Sequence, residues 1–194
     1  MNRNQPVKEK TDNVNHPSHY ANQGSVECID YIATVVNQYP GIIAGDLQNV
    51  TKYTWRSHGK NGKEDIAKAE WYFNHAEKTL LSLDIDARHM LEQTTHAMAK
   101  ALLPKEKTLA DMADIQYKGK EEITKCMPAK EKALYQDVLH GINNFYSDGL
   151  REKAKVALKT WVKEYDHFQE KSREKEPKDK KGIHKKVSSK SLER

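Results

Sequence analysis

Between Lys63 and Leu103 the chain contains neither glycine nor proline, and its apolar residues recur at intervals of three and four. Ile66, Ala69, Phe73, Ala76, Leu80 and Leu83 begin the series; Ala87, Met90, Thr94, Ala97 and Ala101 continue it. That rhythm marks the buried stripe of an amphipathic helix. Uninterrupted, it would give a helix of roughly 40 residues, about 60 Å long at 1.5 Å per residue. Such a helix does not fit inside a small globule and calls for a coiled-coil partner. The alternative is two helices broken at Ser82–Asp86, with Asp84 capping the second. Helices that long are rare, so the break is the favoured expectation.

The flanking segments repeat the theme. Ser25 is the expected N-cap of a helix buried on Val26, Ile29, Ile32, Ala33 and Val36, which ends at Tyr39-Pro40-Gly41. A second helix is expected from Ile43 or Asp46 to Arg56, buried on Ile43, Leu47, Val50 and Thr54. The glycine-bearing turn Ser57–Lys63 follows, and the third helix starts near Glu64. Beyond Pro104, helices are expected over Thr108–Lys118, Ala129–Tyr146 and Leu150–Phe168, with Gly119 and Pro128 as punctuation. No segment alternates with period two over a convincing length, so the fold class is all-α. The expected organisation is a flexible arm over 1–13, a helical domain over 14–83, a helical extension over 84–168 and a disordered basic tail over 169–194.

Charge narrows the function. The chain has 33 Lys+Arg against 28 Asp+Glu, a formal net charge of +5. From Gln169 to Arg194 there are 10 basic and 5 acidic residues, so the tail carries the whole excess. The body is balanced, which argues against a globally basic nucleic-acid-binding domain. Binding of nucleic acid through the tail is disfavoured, because a mixed-charge Lys-rich tail usually serves as a solubilising extension. No apolar run is long enough to span a membrane, and Met1–Asn15 lacks the apolar core of a signal peptide. Cys28 and Cys126 are expected as reduced thiols. An intracellular protein with no membrane association is the expectation.

Three constellations carry chemistry. Asn49, Lys52 and Arg56, spaced i, i+3, i+7, share one helical face with Tyr53 beside them, and Lys60 and Lys63 follow in the turn. An amide, an ammonium and a guanidinium in one stripe suit a phosphate; the bland reading is a solvated face that pairs with carboxylates elsewhere. Glu64-Asp65, followed by Lys68, Trp71 and Tyr72, is either an ordinary acidic first turn or brings Asp65 to orient Lys52 or Arg56, or to hold a metal-bound nucleotide. His16-x-x-His19, with Tyr20, Glu27 and Asp30 following, lacks a recognisable third and fourth ligand and is weak as a zinc site; no metal site is expected. No Walker P-loop, dinucleotide fingerprint or protein-kinase signature occurs.

The order of these motifs resembles a family. His16-Pro17-Ser18-His19-Tyr20, Glu27-Cys28-Ile29-Asp30-Tyr31-Ile32, Asn49-Val50-Thr51-Lys52-Tyr53-Thr54-Trp55-Arg56, Gly59-Lys60 and Glu64–Tyr72 are similar to the SaV-like bacteriophage family, over about residues 14–78. Most of that family has no known function, but it includes the C-terminal part of the nucleotide kinase of T-seven-type phages. Gln48 stands where the family usually has glycine, and His58 where it often does, which removes places for close backbone approach.

The resemblance implies a phage-encoded protein in the bacterial cytoplasm. It further implies phosphoryl transfer from a nucleoside triphosphate to a (deoxy)nucleoside monophosphate without a P-loop. Lys52, Arg56 and Asp65 become candidate catalytic residues under this reading. His19, Tyr20, Glu27, Asn49, Tyr53 and Lys60 become candidate nucleotide-binding residues. The donor would be a nucleoside triphosphate, with Mg²⁺ held by Asp65 or Glu27 if one is used. A single helical hairpin offers little concave surface, so a homo-oligomer is expected. The alternative is a non-enzymatic early phage protein that binds a host protein or a nucleotide, favoured by the unmatched residues 84–168.

Overall fold

The computed structural model describes residues 17, 20, 26–36, 38–101, 109–125 and 127–174. Among these are seven α-helices and no strand, so the fold is all-α. They are α1 (Cys28–Val36), α2 (Gly41–Arg56), α3 (Lys63–Leu81), α4 (Ile85–Ala101), α5 (Leu109–Thr124), α6 (Ala129–Asn143) and α7 (Asp148–Glu174). The expected flexible arm, Ser25, His16 and His19 lie outside the described residues, as does the basic tail beyond 174.

The long helical pattern is broken where the second reading puts it. At the end of α3 the Ser82 N–H donates back to the Lys78 and Thr79 carbonyls at 3.0 and 3.2 Å, tightening the last turn. Asp84 Oδ1 then accepts the Ala87 N–H at 2.7 Å and starts α4. The Arg88 guanidinium donates to the Leu83 and Leu81 carbonyls, both at 2.9 Å, and so satisfies carbonyls left over by α3.

The stripes expected on α2 and α3 are buried: Ile43, Leu47, Val50 and Thr54 on one, Ile66, Ala69, Phe73, Ala76 and Leu80 on the other. α1 is rotated from expectation. Ile29 is 60% exposed, and the inward face is Cys28, Tyr31, Ile32 and Val35. Tyr31 sets this rotation, since its ring packs 5.2 Å from that of Trp55, and a large aromatic outweighs an aliphatic in choosing the buried face.

Gly119 does not end a helix; it lies inside α5, six residues longer at its C-terminal end than expected. A Cβ at that position would stand 2.6 Å from Tyr31 Cδ2, so the glycine permits α5 to close over the α1–α2 aromatic pair. Gly141 does the same for α6 against α7, where a Cβ would meet the Ala154 methyl at 2.2 Å. α6 ends at Asn143 rather than Tyr146. α7 begins at Asp148 and continues six residues past Phe168, so 169–174, expected as disordered tail, are helical.

The core is one cluster running from Val26 to Phe168, with α2–α3 and α6–α7 side by side, so residues on both sides of the expected 83/84 boundary share it. Two polar links cross it. The Tyr39 hydroxyl donates to the Ile142 carbonyl at 2.6 Å and accepts the Phe145 N–H at 3.0 Å. Glu131 of α6, wholly buried, accepts the Trp161 indole N–H at 2.8 Å and lies 3.1 Å from His58 Nε2 in the α2–α3 turn. No described helix is long and apolar enough to cross a membrane.

Candidate functional site

The C-terminal half of α2 and the first turns of α3 run antiparallel, and their facing side chains build a charged cluster. On α2, Lys52 Nζ donates to Asn49 Oδ1 at 2.6 Å, and Asn49 Nδ2 donates to the Gly45 carbonyl at 3.1 Å. One turn on, Arg56 Nε and Nη2 each donate at 3.0 Å to a separate oxygen of Asp65. This two-point fork fixes the guanidinium plane. Arg56 Nη1 donates to the Tyr20 hydroxyl at 3.1 Å. Asp65 is fully buried and also takes the Asn61 N–H at 3.4 Å, which ties the turn to the pair.

Burial opposes the Arg56 charge, but the bonds to Asp65 and Tyr20 outweigh it and raise the pKa of the group. Lys52 goes the other way. Partial burial, followed by repulsion from Arg56, lowers its pKa, against a weaker opposing pull from Cys28 and Asp65. Burial pushes the Cys28 thiol up to about 12, with Lys52 and Arg56 opposing, so this cysteine is a protonated core residue at neutral pH.

Tyr53 is the centre of the cluster. Lys52 Nζ and Arg56 Cζ each lie 4.7 Å from its ring centroid, and Lys68 Nζ of α3 lies at 5.8 Å. The electron-rich ring gathers three cations that would otherwise repel. Lys68 is paired with Glu64 one turn earlier. Tyr53 also stacks on Tyr72 at 5.7 Å and 19°. Tyr72 meets Trp71 edge-on at 4.9 Å, and Trp71 stacks flat on His75 at 5.2 Å and 5°. His75 Nδ1 is 2.7 Å from Asp46, which closes the strip back onto α2.

Of the residues singled out from sequence, Tyr20, Asn49, Lys52, Tyr53, Arg56 and Asp65 come together. Lys60 is exposed in the turn, and Lys63 pairs with Asp166 of α7 at 2.7 Å rather than joining the cluster. Glu27 is half-buried at the start of α1, where its carbonyl accepts the Tyr31 N–H at 3.1 Å. His19 lies outside the described residues. Both oxygens of Asp65 are occupied by Arg56, so Asp65 does not fit as a Mg²⁺ ligand. Among the described residues no group of three or more His, Cys, Asp or Glu side chains is arranged to hold a metal. Lys68 and Tyr72 join as full members of the cluster. Their i, i+4 spacing on α3 is the signal that puts both opposite Tyr53.

Residues 14–74 match the model of a family described as a protein of unknown function (DUF3310). The matched segment holds α1, α2 and α3 as far as Asn74, and with them the whole charged cluster. Neither the curated proteins nor the solved structures contain a match to this chain.

Proposed function

We propose that this chain binds nucleotides through their phosphates at the Lys52 face of the α2–α3 hairpin. The observation that carries the reading is the crowding of Lys52, Arg56 and Lys68 around one tyrosine ring, in which, among the described residues, Lys52 alone has no carboxylate in hydrogen-bond contact. Burial, followed by repulsion from Arg56, depresses the Lys52 pKa, and an anion placed there offsets both. In this reading Asp65 is a positioning residue that holds Arg56 flat, and Lys52 is the contact.

Phosphoryl transfer, the activity implied by the resemblance to the SaV-like phage family, is the finer proposal built on that binding. An oxygen of the acceptor monophosphate would bond to the γ-phosphorus as the bond to the β–γ bridging oxygen breaks, giving two diphosphates. Positioning and charge neutralisation are the main demands of such a step, and the cluster supplies both without using Asp65 as a metal ligand. The test has two arms on the full chain: calorimetric titration with nucleoside mono- and triphosphates, and separation of products after incubation with donor and acceptor together. Binding that Lys52→Ala weakens about tenfold or more supports the site, and diphosphates that disappear in the same variant support transfer. Binding without product leaves a nucleotide-binding protein that is not a kinase. Absence of binding overturns both.

A further inference from the structure

Resting on the phosphate reading above, we infer that Trp71 is the platform on which the base of the bound nucleotide stacks. The chain has three tryptophans, and two of them, Trp55 and Trp161, are fully buried; Trp71 is 59% exposed. A large aromatic left open to water is costly, and this one is held rigid. His75 covers one of its faces in a flat stack, His75 is in turn fixed by Asp46, and Tyr72 meets the indole edge-on. The arrangement immobilises the ring while leaving most of it accessible, so little rotamer freedom is lost when a flat ligand lands on it.

Elimination within the cluster points to the same residue. The Tyr53 ring is covered by Tyr72 on one side and attended by three cations. Tyr72 is half-buried between Tyr53 and Trp71. Both are half-buried, whereas Trp71 is exposed. The connection from Lys52 to Trp71 is continuous through contacts of 4.7, 5.7 and 4.9 Å. One nucleotide would lie along this strip, with the phosphate chain toward α2 and the base on α3. Stacking is indifferent to hydrogen-bonding pattern, so the platform favours bases by ring area, purines above pyrimidines.

The experiment compares two ligands that share a phosphate chain, adenosine triphosphate and inorganic tripolyphosphate, on the full chain and on Trp71→Ala and Trp71→Phe. Adenosine triphosphate should change the fluorescence of the single exposed tryptophan, and tripolyphosphate should not. Trp71→Ala should weaken adenosine triphosphate by roughly 5- to 100-fold and leave tripolyphosphate unchanged, with Trp71→Phe in between. A thermal melt of each variant checks folding, which an exposed position should tolerate. If tripolyphosphate binds through Lys52 but Trp71→Ala weakens both ligands alike, or neither, the base platform is overturned while the phosphate site stands. If Trp71→Ala instead changes the sedimentation mass without separating the two ligands, Trp71 is a protein contact and the inference fails. If neither ligand binds, the phosphate site and the platform fall together.

Discussion

Two arginines each anchor one of two neighbouring helical hairpins, and their surroundings differ in sign. Arg151, in the first turn of α7, has a side chain only 4% exposed and is matched on every side. Its Nε donates to Glu77 at 3.2 Å, its Nη1 to the Phe145 carbonyl at 2.8 Å and its Nη2 to Asp148, while Lys155 binds the other Glu77 oxygen at 2.8 Å. Arg56, half-buried, has a single carboxylate among the described residues, and the groups nearest the ring beside it are further cations. The first arrangement is a staple between α3 and α7 with its charge neutralised inside the protein. The second commits both oxygens of Asp65 to Arg56 and leaves Lys52 in a positive field. The same side-chain chemistry thus serves cohesion in one hairpin and a demand for an external anion in the other.

The largest effects should come from breaking the pairs. Asp65→Ala takes the carboxylate from Arg56 and should cost about 3–5 kcal/mol in urea unfolding. Arg151→Ala leaves the Phe145 carbonyl without its donor while Glu77 keeps Lys155 at 2.8 Å, and should cost less. Replacing both partners separates the two sites. Arg56→Met with Asp65→Leu should recover most of the stability, because well-packed apolar side chains can stand in for a buried pair, yet it should weaken tripolyphosphate binding, because the Arg56 charge beside Lys52 is gone. Arg151→Met with Glu77→Leu should recover less, since the Phe145 carbonyl loses its donor and Lys155 keeps only Glu152 at 3.1 Å, and should leave binding intact. Equal behaviour of the two double variants would break the distinction.

Close packing gives the next largest effects. Gly119→Ala drives a methyl into Tyr31, beneath the α2 site, and Gly141→Ala drives one into Ala154 at the α6–α7 contact. Each should cost about 1–3 kcal/mol, whereas Gly149→Ala, which meets nothing within 4 Å, should be close to neutral. A neutral Gly119→Ala would mean that α5 does not pack tightly against α1 and the α2–α3 hairpin.

Those two glycines also show where the sequence stops being legible. Periodicity on α2 and α3 names the buried residues because the buried stripe there is continuous, and the i, i+3, i+7 spacing puts Asn49, Lys52 and Arg56 on one face without further help. It misassigns α1 because Tyr31 and Cys28, which periodicity alone did not favour, outbid Ile29 for the inside. Gly119 resembles a stop in one dimension and is a contact in three. The Arg56–Asp65 fork is half visible: both residues stand out, but only the antiparallel return of α3 makes Asp65 wholly buried and fixes which cation it holds. The link from Glu131 to His58 spans 73 positions, and no local pattern encodes a contact between a helix and a turn that far away.

The smallest and most diagnostic effect contrasts two lysines by pH. Burial and Arg56 lower the Lys52 pKa, whereas the hydrogen bond to Glu77 raises that of Lys155. Between the lowered Lys52 value and the ordinary lysine value of 10.5 the unfolded chain holds a proton that folded Lys52 has released. The contribution of Lys52 to stability therefore increases with pH in that window. Lys155 has the opposite sign: its contribution is complete below 10.5 and is lost only as pH rises through its raised folded value. Ligand affinity follows Lys52 alone. The affinity for adenosine monophosphate, whose phosphate is fully ionised above neutral pH, should decline before pH reaches 10.5 as the Lys52 ammonium is lost. Lys52→Arg should remove the decline, because a guanidinium stays charged throughout, and Lys155→Ala should leave the whole profile unmoved. A decline that survives in Lys52→Arg would assign the titrating group to another residue and take the contact role away from Lys52.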